Sequence, residues 1–211
     1  MKDYDIYLFD WDGTIAESTT TWLRAIRRQF DALGLHPADD EILRRMGDWE
    51  LMLDLGITQA QLKVIRDAAR KEALERVTDA PLFDNVHNLL VDLKRRGKKL
   101  AVVTAMHRNI VETLIAHHDY GELFDVVVSG TDVGKLKPHP EALLLALQLL
   151  DRQPHETVLM LGDTERDILA AHSAGIDSLL YYPPAHQVFH DLEELKGHHP
   201  TYIISDWKEL A

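Results

Sequence analysis

Two aspartates one residue apart, Asp10 and Asp12, close the apolar run Tyr4-Asp5-Ile6-Tyr7-Leu8-Phe9 and are followed at once by Gly13-Thr14. Like charges forced together are costly unless a hard cation lies between them or they share a proton. The pair therefore offers metal or acid–base chemistry, or, in the bland alternative, only a polar turn that ends a strand. Four more polar residues fall in comparable places. Thr104 follows the apolar run 99–103, Lys137 sits in the loop Gly134-Lys135-Leu136-Lys137-Pro138-His139-Pro140, and Asp163 and Asp167 follow the run 157–161. Carboxylate and carbonyl oxygens suit Mg²⁺. A lysine, a hydroxyl and loop N–H groups are the donors that a transferring phosphoryl group needs. Asp10 is the candidate nucleophile because a second carboxylate able to shuttle a proton stands beside it; its attack on phosphorus would give an aspartyl-phosphate that water hydrolyses.

The elements that must position these groups follow from hydrophobic periodicity. A short run rich in β-branched and aromatic residues reads as a buried strand, which puts Asp10 and Asp12 at its C-terminal end. From Glu17 to Leu33, Trp22, Leu23, Ile26, Phe30 and Leu33 recur at helical spacing and Gly34 closes the segment. Helical signals continue through Ile42, Leu43 and Met46 to Gly47, and then from Thr58 to Val77, with Thr58 as N-cap and Gln61 as its capping-box partner. No strand pattern interrupts residues 14 to 81, so a helical insertion follows the first strand directly. Beyond Pro81, helices at 85–96, 108–118, 140–150 and 164–174 alternate with strands at 99–104, 124–128, 157–161 and 176–181, and 202–204 reads as a further strand. That alternation predicts an α/β fold, a parallel sheet with helices on both faces. Right-handed crossovers then bring all the polar strand ends to one edge, where open α/β sheets bind ligands.

Composition narrows the partners. A chain of 211 residues can bury a full α/β core, and a formal charge of −12 argues against nucleic acid or an anionic membrane surface. A small phosphorylated substrate remains compatible with that charge, since one lysine, a metal and helix N-termini can hold a phosphate locally. Cysteine is absent, which removes thiolate metal sites and Cys nucleophiles and fits a cytoplasmic setting. No apolar run approaches the ~18 residues of a membrane span.

The set Asp10-Trp11-Asp12-Gly13-Thr14, a Thr ending the second strand, Lys137-Pro138-His139-Pro140-Glu141, and Gly162-Asp163-Thr164-Glu165-Arg166-Asp167 resembles the haloacid dehalogenase superfamily in order and spacing. The resemblance implies a Rossmann-like core over residues 1–15 and 81–211 and an all-helical cap over 16–80. It implies Asp10 as nucleophile and Asp12 as general acid/base, with Thr104, Ala105 and Lys137 binding the phosphoryl group. Mg²⁺ would be held by Asp10, Asp163 and the backbone carbonyl of Asp12, and Asp167 would orient Lys137. An Asp at position 12 is what the phosphatase and phosphomutase branches show. Thr104 is followed by Ala105 where Asn is common, and no Arg stands soon after Gly47 as in sugar phosphomutase relatives. The expectation is a Mg²⁺-dependent phosphatase of a small phosphorylated metabolite, phosphoglycolate-like, sugar phosphate or nucleotide. A phosphomutase, or a catalytically silent binding protein on the same fold, is the alternative.

Several residues admit plainer roles. Lys137 alone reads as a solvated loop lysine, Thr104 as the N-cap of the next helix, and Asp167 as a complement to its helix dipole. The pairs His117-His118 and His198-His199 read as surface residues whose rings point apart. Arg44 and Arg45 read as a solvated cap face, and Trp22, Trp49 and Met52 as cap packing. His107 and Arg108 are placed where they could touch substrate.

Overall fold

The computed structural model describes residues 1–45, 49–152, 157–188 and 190–210; the expected end of the second cap helix at Met46 and Gly47 lies outside them. Six strands form one parallel sheet: β1 (Ile6–Phe9), β2 (Lys99–Val103), β3 (Val126–Val128), β4 (Val158–Gly162), β5 (Asp177–Tyr181) and β6 (Tyr202–Ile204), in the order β3-β2-β1-β4-β5-β6. Strand order reverses at β1, which pairs with both β2 and β4; Phe9 lies level with Val102 on one side and Leu161 on the other. The segment that follows Phe9 therefore emerges at the switch point of the sheet, with strand ends on either side of it.

Alternate residues of each strand serve opposite faces, as the pleat dictates. Tyr7, Phe9, Leu100, Val102, Leu159 and Leu161 bury against α4 (Val86–Arg95) and α5 (Arg108–His117). Ile6, Leu8, Ala101, Val103, Val158 and Met160 bury against α6 (Glu141–Leu149) and α7 (Glu165–Ala174). Both faces being covered explains why the central strands are apolar throughout.

Between β1 and α4 the chain forms the helical cap: α1 (Thr19–Ala32), α2 (Asp39–Leu43), a 3₁₀ segment at Trp49–Leu55, and α3 (Gln59–Glu75). Ala25, Ile26, Phe30, Ile42, Met52, Leu62, Ile65 and Ala69 make a core separate from the two under the sheet. The Thr58 capping box is present, its hydroxyl accepting from the Gln61 N–H at 3.3 Å while Gln61 Oε1 accepts from the Thr58 N–H at 2.9 Å. Leu33 does not join the buried face of α1; the helix has ended at Ala32 and Leu33 is exposed. A short helix, α8 (Leu192–Gly197), and 3₁₀ turns at Pro184–Val188 and Trp207–Glu209 complete the described elements after β5, where only β6 was expected.

The end of β3 is fastened to the start of α5 by Arg108. Its guanidinium donates to the Val127 carbonyl at 3.0 Å and to Asp132, and Asp132 also accepts from the N–H and hydroxyl of Ser129 at 2.7 Å each. Arg108 thus serves as a structural cation that joins β3 to α5. Burial alone would raise the Asp132 carboxyl, but Arg108 and Ser129 outweigh it and hold its pKa at about 2. A carboxylate depressed below its ordinary value of about 4 adds stability that is present above pH ~4 and lost as pH falls through 2. With a quarter of the side chain still in water, the Asp132→Asn change is expected to cost about 1–2 kcal/mol at pH 7. Urea unfolding measures it, and the gap between variant and wild type should close toward pH 2.

Candidate active site

The loop leaving β1 is shaped by the Trp11 carbonyl, which accepts from the N–H groups of Ile15 and Ala16 at 2.9 and 3.0 Å and from Thr14 at 3.3 Å. The Asp10 N–H is still bonded to the Leu161 carbonyl, at 2.9 Å, so Asp10 keeps the rigidity of the sheet. Gly13 has φ +73°, and a Cβ there would lie 2.1 Å from Asp163 Oδ2. Glycine is therefore required twice over, for its backbone angle and to let the Asp163 carboxylate approach. Gly162 allows an equally close approach, a Cβ there falling 2.2 Å from Asp167 Cγ.

Lys137 enters this space from the loop before α6. Its Nζ donates to Asp167 Oδ1 at 2.6 Å and to the Val103 carbonyl at 3.0 Å, and it forms an ion pair with Asp10 Oδ1 at 3.0 Å. Asp167 serves a second purpose through its other oxygen, which accepts from the Thr164 N–H at 3.2 Å and hydroxyl at 2.8 Å and so caps α7. The side chain that caps the helix is thereby also the one that orients the lysine.

Burial opposes every charge here. It would lower Lys137, but Asp10 and Asp167 raise it well above its ordinary range, so the ammonium stays charged. Burial pushes Asp10 up to about 7 against the pull of Lys137, with Asp167 and Asp12 adding to the rise. It also raises Asp12, against a hydroxyl bond donated by Ser18. Asp163 is raised well above the ordinary carboxylate range by burial, with Asp167 and Asp10 adding to the rise, and it receives the Thr14 hydroxyl at 3.3 Å. His186 Nδ1 and His190 Nε2 each lie 4.0 Å from Asp163 Oδ2. Burial holds His186 at about 3 and lowers His190, so neither ring supplies a positive charge at neutral pH.

Asp10, Asp163 and Asp167 bring one oxygen each to within 4.8 Å of one another. With Asp12, four carboxylates face one lysine in a space lined by oxygen donors. That excess of negative charge, and the absence of sulfur or charged imidazole from it, fits a hard divalent cation. The same groups line a cavity of about 630 Å³ between core and cap.

The chain from residue 7 to 181 matches the family model of haloacid dehalogenase-like hydrolases. It belongs to that family. Over 207 residues, 96% of this chain and 93% of the other, it is 28% identical to pyrophosphatase PpaX of Oceanobacillus iheyensis. Its fold is similar to that of a predicted phosphoglycolate phosphatase from Haemophilus somnus, with TM-score 0.83 and 22% identity over 100% of this chain and 97% of that one. It is also similar to a HAD family hydrolase from Deinococcus radiodurans solved with bound phosphate and sodium, with TM-score 0.82 and 20% identity over 98% and 93% of the two chains. The chain is thus a haloacid dehalogenase-like hydrolase whose acidic cluster is suited to a divalent metal.

Several residues sit elsewhere than their sequence suggested. Thr104 does not cap α5, where His107 is the N-cap; it is buried and its hydroxyl accepts from the Met106 N–H at 3.2 Å, which leaves its own O–H free to donate, and the next residue, Ala105, lines the cavity. His107 is turned to the cap, with Nε2 2.8 Å from an Arg70 guanidinium nitrogen. His117 and His118 are not splayed: their rings meet edge to face at 4.8 Å, and His118 packs against Trp11 and Tyr120. His198 lines the cavity; Arg44 and Trp22 line it too, while Arg44 stays exposed and Trp22, like Trp49 and the fully buried Met52, packs in the cap core as expected. Ser18, His186 and His190 were missed. Ser18 fell inside the segment read as helix from Glu17, whereas it is the N-cap of α1, and the i, i+4 spacing of the two histidines was the one available signal.

Breaking a buried pair leaves an uncompensated charge, so Lys137→Ala is expected to cost about 3–5 kcal/mol in urea unfolding with EDTA present. Mg²⁺ is expected to raise the thermal midpoint of the wild type, because a ligand that binds only the folded state stabilises it. The Asp163→Asn variant should lose that shift, measured by calorimetry with and without Mg²⁺.

Proposed function

We propose that this chain hydrolyses a small phosphorylated metabolite through an aspartyl-phosphate, with Asp10 as nucleophile. The supporting observation is the placement of Lys137: one Asp10 oxygen is held by its ammonium at 3.0 Å, while Oδ2 has no hydrogen-bond partner among the described residues. A carboxylate fixed at one oxygen and open at the other is oriented for attack, and orientation of this kind is a large part of catalysis. Mg²⁺, held by Asp10, Asp163 and the Asp12 carbonyl, would neutralise phosphoryl charge and keep Asp10 ionised.

In the first step an Asp10 oxygen bonds to phosphorus as the ester P–O bond breaks. Asp12, raised by burial and so able to hold a proton, gives it to the departing oxygen. Lys137, Thr104 and the loop N–H of Ala105 would meet the equatorial oxygens. In the second step Asp12, now ionised, takes a proton from water as the water oxygen attacks the aspartyl-phosphate. Phosphate leaves and Asp10 is regenerated. Asp167 acts through Lys137, and the cap keeps bulk water away while the ester is bound.

A second reading, hydrolysis of inorganic pyrophosphate, is favoured by the PpaX relative, which this chain matches over 96% of its length. Both readings require Asp10. The Asp10→Asn variant is expected to lose phosphate release by at least about 10³-fold while its circular dichroism is unchanged. Phosphate release by that variant at a wild-type rate would sink the mechanism.

A further inference from the structure

The cavity is much more than a phosphate site, and its outer wall differs in kind from its floor. Trp22, Leu43 and Leu51 reach it from the cap, and Leu136, the residue before Lys137, reaches it from the core. Leu51 and Leu136 are 45% and 48% exposed, two large apolar side chains left open on either side of one cavity. Scattered exposed leucines are ordinary; a group of four apolar residues converging on the catalytic carboxylates is a binding feature.

The charged residues of the outer wall point the same way. Glu165, Asp191 and Glu194 bring three carboxylates. Against them stand Arg44 and Arg166, and each already faces a carboxylate: Arg44 lies 3.5 Å from Asp40, and Arg166 lies 4.0 Å from Glu165. Ser18, Thr19, Thr164, His190 and His198 also line the cavity. A second phosphate or a carboxylate entering here would meet three carboxylates and two guanidiniums that already face carboxylates, and a charged group removed from water without a partner is strongly disfavoured. The floor, by contrast, holds Lys137 and the metal-suited cluster, so the one anionic group that the cavity is built for is the scissile phosphate.

Resting on the phosphatase reading above, we propose that the leaving group of the substrate is an uncharged alcohol with an apolar or aromatic portion, packed between Trp22 and Leu51 of the cap and Leu136 of the core. Inorganic pyrophosphate and phosphoesters of hydroxyacids are then poor substrates. Trp22 and Leu51 are specificity-determining residues, and they act on the ratio between substrates and not on the chemical step.

The test compares kcat/KM for benzyl phosphate, 2-phosphoglycolate and inorganic pyrophosphate, each with Mg²⁺, by phosphate release. Benzyl alcohol and glycolate are both primary alcohols released with a proton from Asp12, so the first two differ mainly in what the wall must accept. Pyrophosphate has the better leaving group, which makes its rank a stringent control. Benzyl phosphate is expected to exceed both by about tenfold or more. Trp22→Ala and Leu51→Ala should each reduce the ratio of benzyl phosphate to phosphoglycolate by about threefold or more. Leu51 is exposed, so its variant keeps the fold even where loss of Trp22 disturbs the cap, and circular dichroism checks both. Equal or higher kcat/KM for phosphoglycolate or pyrophosphate, with Arg44→Ala removing that activity selectively, would overturn the inference and leave the phosphatase reading standing. No Asp10-dependent release from any of the three would overturn both.

Discussion

One buried ammonium holds the site together. Lys137 reaches Asp10, Asp167 and the Val103 carbonyl at once, and those three belong to the ends of β1, α7 and β2. Without it, Asp10, Asp163 and Asp167 would face one another across a few ångströms in a medium where each charge is already costly, and the strand ends would be pushed apart. With it, Asp10 is fixed at one oxygen and Asp167 is locked between a lysine and its own helix cap. The cost of burying these charges is met by the sheet around them, whose central strands are fully buried on both faces.

Compensation is incomplete, and that incompleteness carries the chemistry. One lysine cannot neutralise four carboxylates. Asp163 receives the Thr14 hydroxyl and has two neutral imidazoles 4.0 Å away, and the attraction of Lys137 offsets only part of the repulsion from Asp167, Asp10 and Asp12. A pocket that is negative overall, lined by oxygen donors and buried, favours a divalent cation and, through that cation, a phosphate. Gly13 and Gly162 follow from the same constraint, since any side chain there would occupy the space into which Asp163 and Asp167 are drawn.

What could be read from the sequence follows from how local each signal is. The end of β1, the Thr58 capping box and the glycine that closes α7 are written in contiguous residues, and each stands where its residues place it. The alternation of strands and helices carried the fold, because buried parallel strands must be apolar and the helices between them amphipathic. Long-range geometry was not legible. That the Thr104 hydroxyl accepts from the Met106 N–H depends on a loop held by β3. The inward turn of His118 depends on Trp11, more than a hundred residues away. The stretch that carries His186, His190 and α8 has only six helical residues and no apolar period, so nothing local marked it as a wall of the cavity.

Chemistry and selectivity rest on different hydrophobic cores. The phosphate end of the cavity is built on the sheet, whereas Trp22, Leu43 and Leu51 are carried by a cap whose buried residues pack among themselves. The two parts are joined where the chain leaves and re-enters the sheet: Glu17 N–H bonds to the Pro81 carbonyl at 2.8 Å, and Phe83 N–H bonds to the Ile15 carbonyl at 3.0 Å. Because the two crossings are tied to each other, substitutions on the cap's inner face can reshape the leaving-group wall without loosening the strands that hold Asp10. The converse does not hold. A change at Lys137 or Gly13 alters the phosphate site for every substrate alike, because the cap can select only among molecules whose phosphate is already held by the core.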